Sequence, residues 1–192
     1  LSWQFKSFSN SVEWPKKVEN KTFKPVAQRS DDLITTVINH ATVLIQMNGV
    51  NILTDPHFTK SASPVSFAGP ARVIKPGIKF EDLPPIDLVL ISHNHYDHLD
   101  LESLKMLKKR DNPLIYAGLG TKSFLEKNRL HKAQDFDWWE KVNFKGLEIS
   151  FVPAQHWSAR GIFDKREVLW GGFYIRGIKS VYFAGDTGYG KF

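Results

Sequence analysis

The sequence predicts a mixed α/β fold, on three observations. Strand-length apolar segments open its periodic part as a meander, and later ones alternate with stretches of helical spacing. One run, Ile86–Ile91 (IDLVLI), is nearly continuous in apolar side chains, as a strand covered on both faces requires. The 192 residues, 42% hydrophobic and 24% charged, suffice for one sizeable core.

Residues 1–32 read as a polar, basic leader that packs aromatic anchors (Trp3, Phe5, Phe8, Trp14) on a domain spanning 33–192. Leu33–Ile38 and Thr42–Met47 have the composition of strands. Asn48-Gly49 marks a tight hairpin, with Val50–Thr54 returning. A Pro/Gly-punctuated connection runs from Pro64 to Pro85. After the buried strand, Asp100 is placed to cap a helix in which Leu101, Leu104 and Leu107 share a face. Glu102 lies in its first turn and Lys108, Lys109 and Arg110 in its last. Leu114–Ala117 is another strand, and Thr121 is expected to cap a second helix through about Asn128. Leu147–Val152, Val168–Ile175 and Ser180–Ala184 complete the strands. Gly171-Gly172 signals a bulge or a close backbone approach.

Cysteine is absent, so no disulfide or thiolate chemistry is open to the chain, and any metal must be held by His, Asp or Glu. The net charge of +6 comes from scattered lysines and arginines, without the long basic run or motif of a nucleic-acid partner; none is expected. The apolar runs are too short to cross a bilayer. Leu1 is not an initiator methionine, and the chain reads as trimmed at its start. Cytoplasmic and membrane-associated locations are both consistent with this composition.

The chemistry concentrates in ISHNHYDHLD, an H-x-H-x-D-H pattern at His93, His95, Asp97 and His98. It lies between the buried strand and the capped helix. Alternate residues of extended chain point the same way, so His93 and His95 can grip one ion; the loop then turns Asp97 and His98 toward a second. Imidazole and carboxylate suit zinc, with manganese or iron compatible. His156 and Asp186 follow predicted strands, at the strand ends where open α/β sheets place their sites.

H-x-H-x-D-H, a later single histidine and a GD-type aspartate resemble the metallo-β-lactamase superfamily. Further segments narrow the likeness: NHATVLIQ, NILTDP, SPVSFAGPARV, PPIDLVLISHNHYDHLD, DWWE, WGGFYI and VYFAGDTGYG resemble the bacterial branch of the N-acyl-phosphatidylethanolamine-hydrolysing phospholipase D family, over about residues 33–192. The resemblance implies an αββα sandwich, of which this chain holds the first part, and a dinuclear centre of two divalent ions, zinc being expected. His93, His95 and His156 would hold the first ion and Asp97 and His98 the second, with Asp186 bridging. A further family histidine has no match before Phe192, so the chain is expected to be an N-terminal portion completed by further sequence or a second chain. Asp55 would steady the metal loop or form an Asx turn, and His40 would line the site; Asn39 stands where the family usually has glycine. Trp138 and Trp139 are candidates for an apolar channel, with core packing expected for at least one.

The implied activity is that of a metal-dependent phosphodiesterase acting on N-acyl-phosphatidylethanolamine or a related phospholipid, with peripheral membrane contact. Two cations would bring the pKa of a shared water down to about 7, and Asp97 would orient that water and take its proton. A lactonase or other ester hydrolase, a nuclease of the same superfamily, and an incomplete metal-binding fragment without catalysis are the alternatives.

Overall fold

A computed structural model describes residues 18–19, 26–63, 71–161 and 163–190. The expected aromatic anchors Trp3, Phe5, Phe8 and Trp14 lie outside the described residues. β1 (Ile34–Asn39), β2 (Thr42–Met47) and β3 (Val50–Thr54) form the expected antiparallel meander. Asn48 (φ 53°) and Gly49 (φ 70°) both take the left-handed conformation of a tight hairpin. β4 (Leu88–Ile91), β5 (Leu114–Gly118) and β6 (Ala133–Phe136) then add in parallel, giving a six-stranded sheet in the order β1-β2-β3-β4-β5-β6. The connections carry a short 3-10 turn (Phe80–Asp82), α1 (Leu101–Arg110) and α2 (Thr121–Lys127). β7 (Lys141–Phe144), β8 (Leu147–Val152), β9 (Gly172–Arg176) and β10 (Ser180–Phe183) form an antiparallel second sheet.

Strand alternation makes two cores. Leu88 and Leu90 face the second sheet with Ile45, Met47, Ile52 and Tyr116, meeting Leu147, Ile149, Phe151, Phe173 and Ile175. Val89 and Ile91 face the other way with Leu44, Leu53, Ile115 and Ala117, against Leu104 and Leu107 of α1 and Leu125 of α2. β4 is therefore buried on both faces, as its apolar run predicts. The layers run helix, sheet, sheet. Among the described residues no helix lies on the outer face of the second sheet.

Two expectations need correction. α2 is not capped by Thr121: its N-cap is Gly120, and the Asp135 carboxylate of β6 accepts from Gly120 N and Lys122 N, both at 2.7 Å. The run Val168–Ile175 is a strand only from Gly172. Leu169 N and Gly171 N instead donate to Leu119 O and Ser92 O, which ties this apolar loop across to the first sheet. Gly171-Gly172 is a close approach: a Cβ at Gly171 would lie 2.4 Å from Val152 O. Of the two tryptophans, one packs on the core, as expected. Trp138 packs on the inter-sheet core and donates its indole N–H to Trp170 O (2.7 Å), while Trp139 lies exposed beside Tyr174 and Tyr182 on the outer face.

Candidate metal centre

β4 ends at Ile91, and the chain leaves the sheet as the loop 92–100 before α1. His98 N and Leu99 N both donate to His95 O, bending the loop, and Asp100 closes it by capping α1 at Glu102 N. His93, His95, Asp97 and His98 thereby project at the C-terminal end of the parallel strands. His156 arrives from the end of β8 and Asp186 from the end of β10, so donors converge from both sheets.

His93 Nε2, His95 Nδ1 and His156 Nε2 form a triangle with edges of 2.8, 3.2 and 3.2 Å. Tetrahedral zinc with Zn–N bonds of about 2.0–2.1 Å spaces its donors by roughly 3.3 Å, close to this triangle. A second set adjoins it. His98 Nε2 lies 3.3 Å from Asp186 Oδ1 and 3.6 Å from Asp97 Oδ2, and Asp186 Oδ2 lies 3.8 Å from His156 Nε2. Asp186 thus stands between the two sets. His40 does more than line the site, because its Nε2 is 2.9 Å from Asp97 Oδ2 and it groups with Asp97 and His98 within ligand range. His40, not Asn39, takes the left-handed backbone (φ 34°), so position 39 does not call for glycine's conformational freedom.

Asp55 is fully buried beneath the loop. It accepts from Ser92 N (2.8 Å), Ser92 Oγ (2.5 Å) and His98 Nδ1 (2.7 Å). Because the Ser92 hydroxyl proton goes to Asp55, Ser92 Oγ accepts from His93 Nδ1 at 2.9 Å. One carboxylate therefore sets the tautomers of His93 and His98, leaving each Nε2 facing the donor sets.

Burial, reinforced by the neighbouring histidines, pulls His93 down to about 2, and burial likewise lowers His95 and His156, so these imidazoles are neutral with lone pairs available. The hydrogen bond from His98 brings Asp186 to about 2, against the opposing effect of burial. Burial would raise Asp97, yet its contacts with His40 and His98 hold it well below the usual carboxylate range. Burial would also lower His98, but Asp186 and Asp55 outweigh it and push it to about 10. A cation held there would displace that proton. Neutral imidazoles facing one another beside ionised carboxylates, with no cysteine in the chain, fit divalent ions that take nitrogen and oxygen ligands.

Sequence reasoning missed Ser92 and Arg160. Ser92 is the first residue beyond β4, and that position was the signal available. Arg160 gives none. Its Nη1 donates to Asn94 O (2.9 Å) and Leu99 O (2.8 Å), and its guanidinium lies 4.1 Å from the Tyr96 ring centre, which fastens the loop of His156 to the loop of the other histidines.

The family model described as "Beta-lactamase superfamily domain" matches residues 50–191. The chain belongs to the metallo-β-lactamase superfamily. As a superfamily member it is 38% identical over 169 residues to N-acyl-phosphatidylethanolamine-hydrolyzing phospholipase D 1 of Caenorhabditis elegans, covering 82% of this chain and 47% of that protein. It is 39% identical over 150 residues to the mitochondrial N-acyl-phosphatidylethanolamine-hydrolyzing phospholipase D of Saccharomyces cerevisiae, covering 75% of this chain and 32% of the relative. The chain thus spans less than half the length of either. Among solved structures, the diiron β-hydroxylase CmlA of Streptomyces venezuelae superposes with a TM-score of 0.60 at 26% identity, over 85% of this chain and 31% of that one.

Proposed function

We propose that this superfamily domain carries the metal centre of a hydrolase that cleaves phosphodiesters, with N-acyl-phosphatidylethanolamine or a related phospholipid as substrate. The observation that carries the reading is the pair of adjoining donor sets, His93, His95 and His156 beside His40, Asp97 and His98, with Asp186 within 3.3 Å of His98 and 3.8 Å of His156. The relatives named as phospholipases D supply the substrate class.

His93, His95 and His156 would hold one ion and Asp97 and His98 the other, with Asp186 between them; zinc suits the donors, and iron or manganese would also be accepted. Bound divalent ions would supply Lewis acidity toward phosphoryl oxygens and acidify a water. The chain's residues do the rest. His40 holds the Asp97 carboxylate at 2.9 Å, and Asp97 would take the proton of the attacking water. Asp55 keeps His98 and, through Ser92, His93 in the donor tautomer. Trp157 packs its ring centre 4.6 Å from that of His95, with Lys165 above it, at the edge of the first set.

The test is elemental analysis of the purified full-length protein, joined to assays of N-acyl-phosphatidylethanolamine and a lactone. Two ions per chain with diester cleavage that vanishes in His93→Ala and Asp186→Asn is the expected result. Two bound ions with lactone hydrolysis alone would overturn the substrate, and full activity in either variant would overturn the centre.

A further inference from the structure

A cleft of about 980 Å³ opens beside the second donor set, lined by His40, His95 and Asp97 at one end and by Lys60, Arg72 and Lys75 elsewhere. Between them its wall is apolar, with Val37, Ile38, Val73 and Ile74. Asp97 is the one carboxylate among the described lining residues.

Two groups in this cleft have unmet hydrogen-bonding capacity. His57, only 7% exposed, is among the residues lining it, and its Nε2 is buried without a partner. Arg72 Nη1 is likewise buried without a partner. Their protonation states follow from their contacts. Arg72 Nη2 donates to His57 O (2.6 Å) and Thr59 O (2.7 Å) and lies 3.0 Å from His57 Nδ1. Both Nη2 hydrogens go to those carbonyls, and a donor-only cation 3.0 Å from Nδ1 disfavours a proton there, which places the ring proton on Nε2. Burial, with Arg72 adding to it, lowers His57 and keeps it neutral in that tautomer. Both unmet atoms are therefore N–H donors, one of them on a permanent cation.

Buried donors without acceptors are rare and costly, so two in contacting side chains point to an acceptor that arrives from outside. The nearby carboxylate does not fill the role. Asp100 acts on Arg72 only through space, and its Oδ2 accepts from Ser103 Oγ at 2.6 Å. The guanidinium fork matches a carboxylate or phosphate in shape and charge.

We infer that Arg72 and His57 form an oxyanion subsite, which among the phospholipids of the proposed function favours those carrying a second anionic group, carboxylate or phosphate, at a distance from the bond cleaved at the metal centre, over N-acyl-phosphatidylethanolamine itself. The apolar wall would lie along the intervening part of such a substrate, and Lys60 adds positive charge to the lining. The reaction rests on the proposed function; the anion binding does not.

The test uses the metal-loaded full-length protein and p-nitrophenyl alkyl phosphodiesters that share leaving group and scissile bond. They differ only in an alkyl chain ending in methyl, carboxylate or phosphate. Wild type should favour an anionic terminus by about tenfold or more in kcat/KM, carried in KM, and the two anionic termini tell which oxyanion fits better. Arg72→Gln should bring the ratio toward one, while Arg72→Lys, which keeps the charge without the fork, should retain part of it. No preference in wild type, or an unchanged ratio in Arg72→Gln, would overturn the subsite. If no diester is cleaved, the proposed function fails by itself. Calorimetric titration with inorganic phosphate then decides the subsite: binding about tenfold weaker in Arg72→Gln than in wild type upholds it, and equal affinity overturns it.

Discussion

The Asp55 carboxylate and the His98 imidazole meet at 2.7 Å with neither side chain reaching solvent. The same carboxyl group accepts the hydroxyl hydrogen bond of Ser92, so a single buried side chain orients two histidines. Asp55→Ala leaves Ser92 N and His98 Nδ1 without an acceptor and both rings free to turn. Metal affinity, measured by competition with a chelator, should fall by roughly 10- to 100-fold while all proposed ligands are retained.

Arg160 makes a related prediction from the opposite side of the loop. Arg160→Ala removes the donor shared by Asn94 O and Leu99 O and the cation stacked on Tyr96. Stability by urea denaturation should drop by about 2–3 kcal/mol. Metal affinity should fall as well, because the positions of His93, His95 and Asp97 relative to His156 are no longer fixed. Arg160→Lys, which cannot span both carbonyls with the same planar fork, should recover only part of each effect.

Asp87 gives the pH dependence. It accepts from Arg29 (2.5 Å), Lys145 (2.6 Å) and Asn51 N (2.9 Å), joining the starts of β3 and β4 to the β7–β8 turn. Burial would raise its pKa, but the bonds from Arg29, Asn51 and Lys145 win and lower it. A carboxyl lowered in the folded state contributes stability above its unfolded pKa and loses it as pH falls through the folded value. Asp87→Asn should therefore be less stable than wild type near neutrality, on the order of 1–2 kcal/mol. The gap should close below the ordinary carboxylate range. Paired denaturation curves at neutral and acid pH check this, and a gap constant with pH would refute it.

Gly171→Ala is a steric prediction. The added methyl would lie 2.4 Å from Val152 O and 2.7 Å from the Phe151 ring, and backbone on either side must shift. Because Gly171 N donates to Ser92 O, the shift reaches the metal loop. A loss of about 1–3 kcal/mol in denaturant is expected, with weaker metal binding.

Much of this was legible because it is local. Asn48-Gly49 specifies its own turn, IDLVLI advertises a strand buried on both faces, and Asp100 caps the helix that follows it. His93 to His98 lie within one loop, so their spacing alone speaks. His156 and Asp186 were placed by resemblance, since their meeting with His93 depends on how two sheets stack. β6 and β7 were missed: AQDF and KVNF are short edge strands, half polar and without a continuous apolar face. The overextended strand at Val168 failed for the converse reason. Its apolar residues pack as a loop, with partners at Leu119 and Ser92 that no periodicity announces. Arg72 and Arg160 each act through contacts with two backbone carbonyls, and with the rings of His57 and Tyr96 respectively, which leave no pattern in sequence.

The meeting of His93 and His156, 63 positions apart along the chain, has a consequence for how the domain is held together. An ion gripped by both would close that span as a covalent staple does. The chain-entropy estimate for a loop of this length is on the order of 4 kcal/mol. In a chain with no cysteine, a coordinated ion would take the place of a disulfide, fastening one sheet to the other with a bond that a chelator can undo.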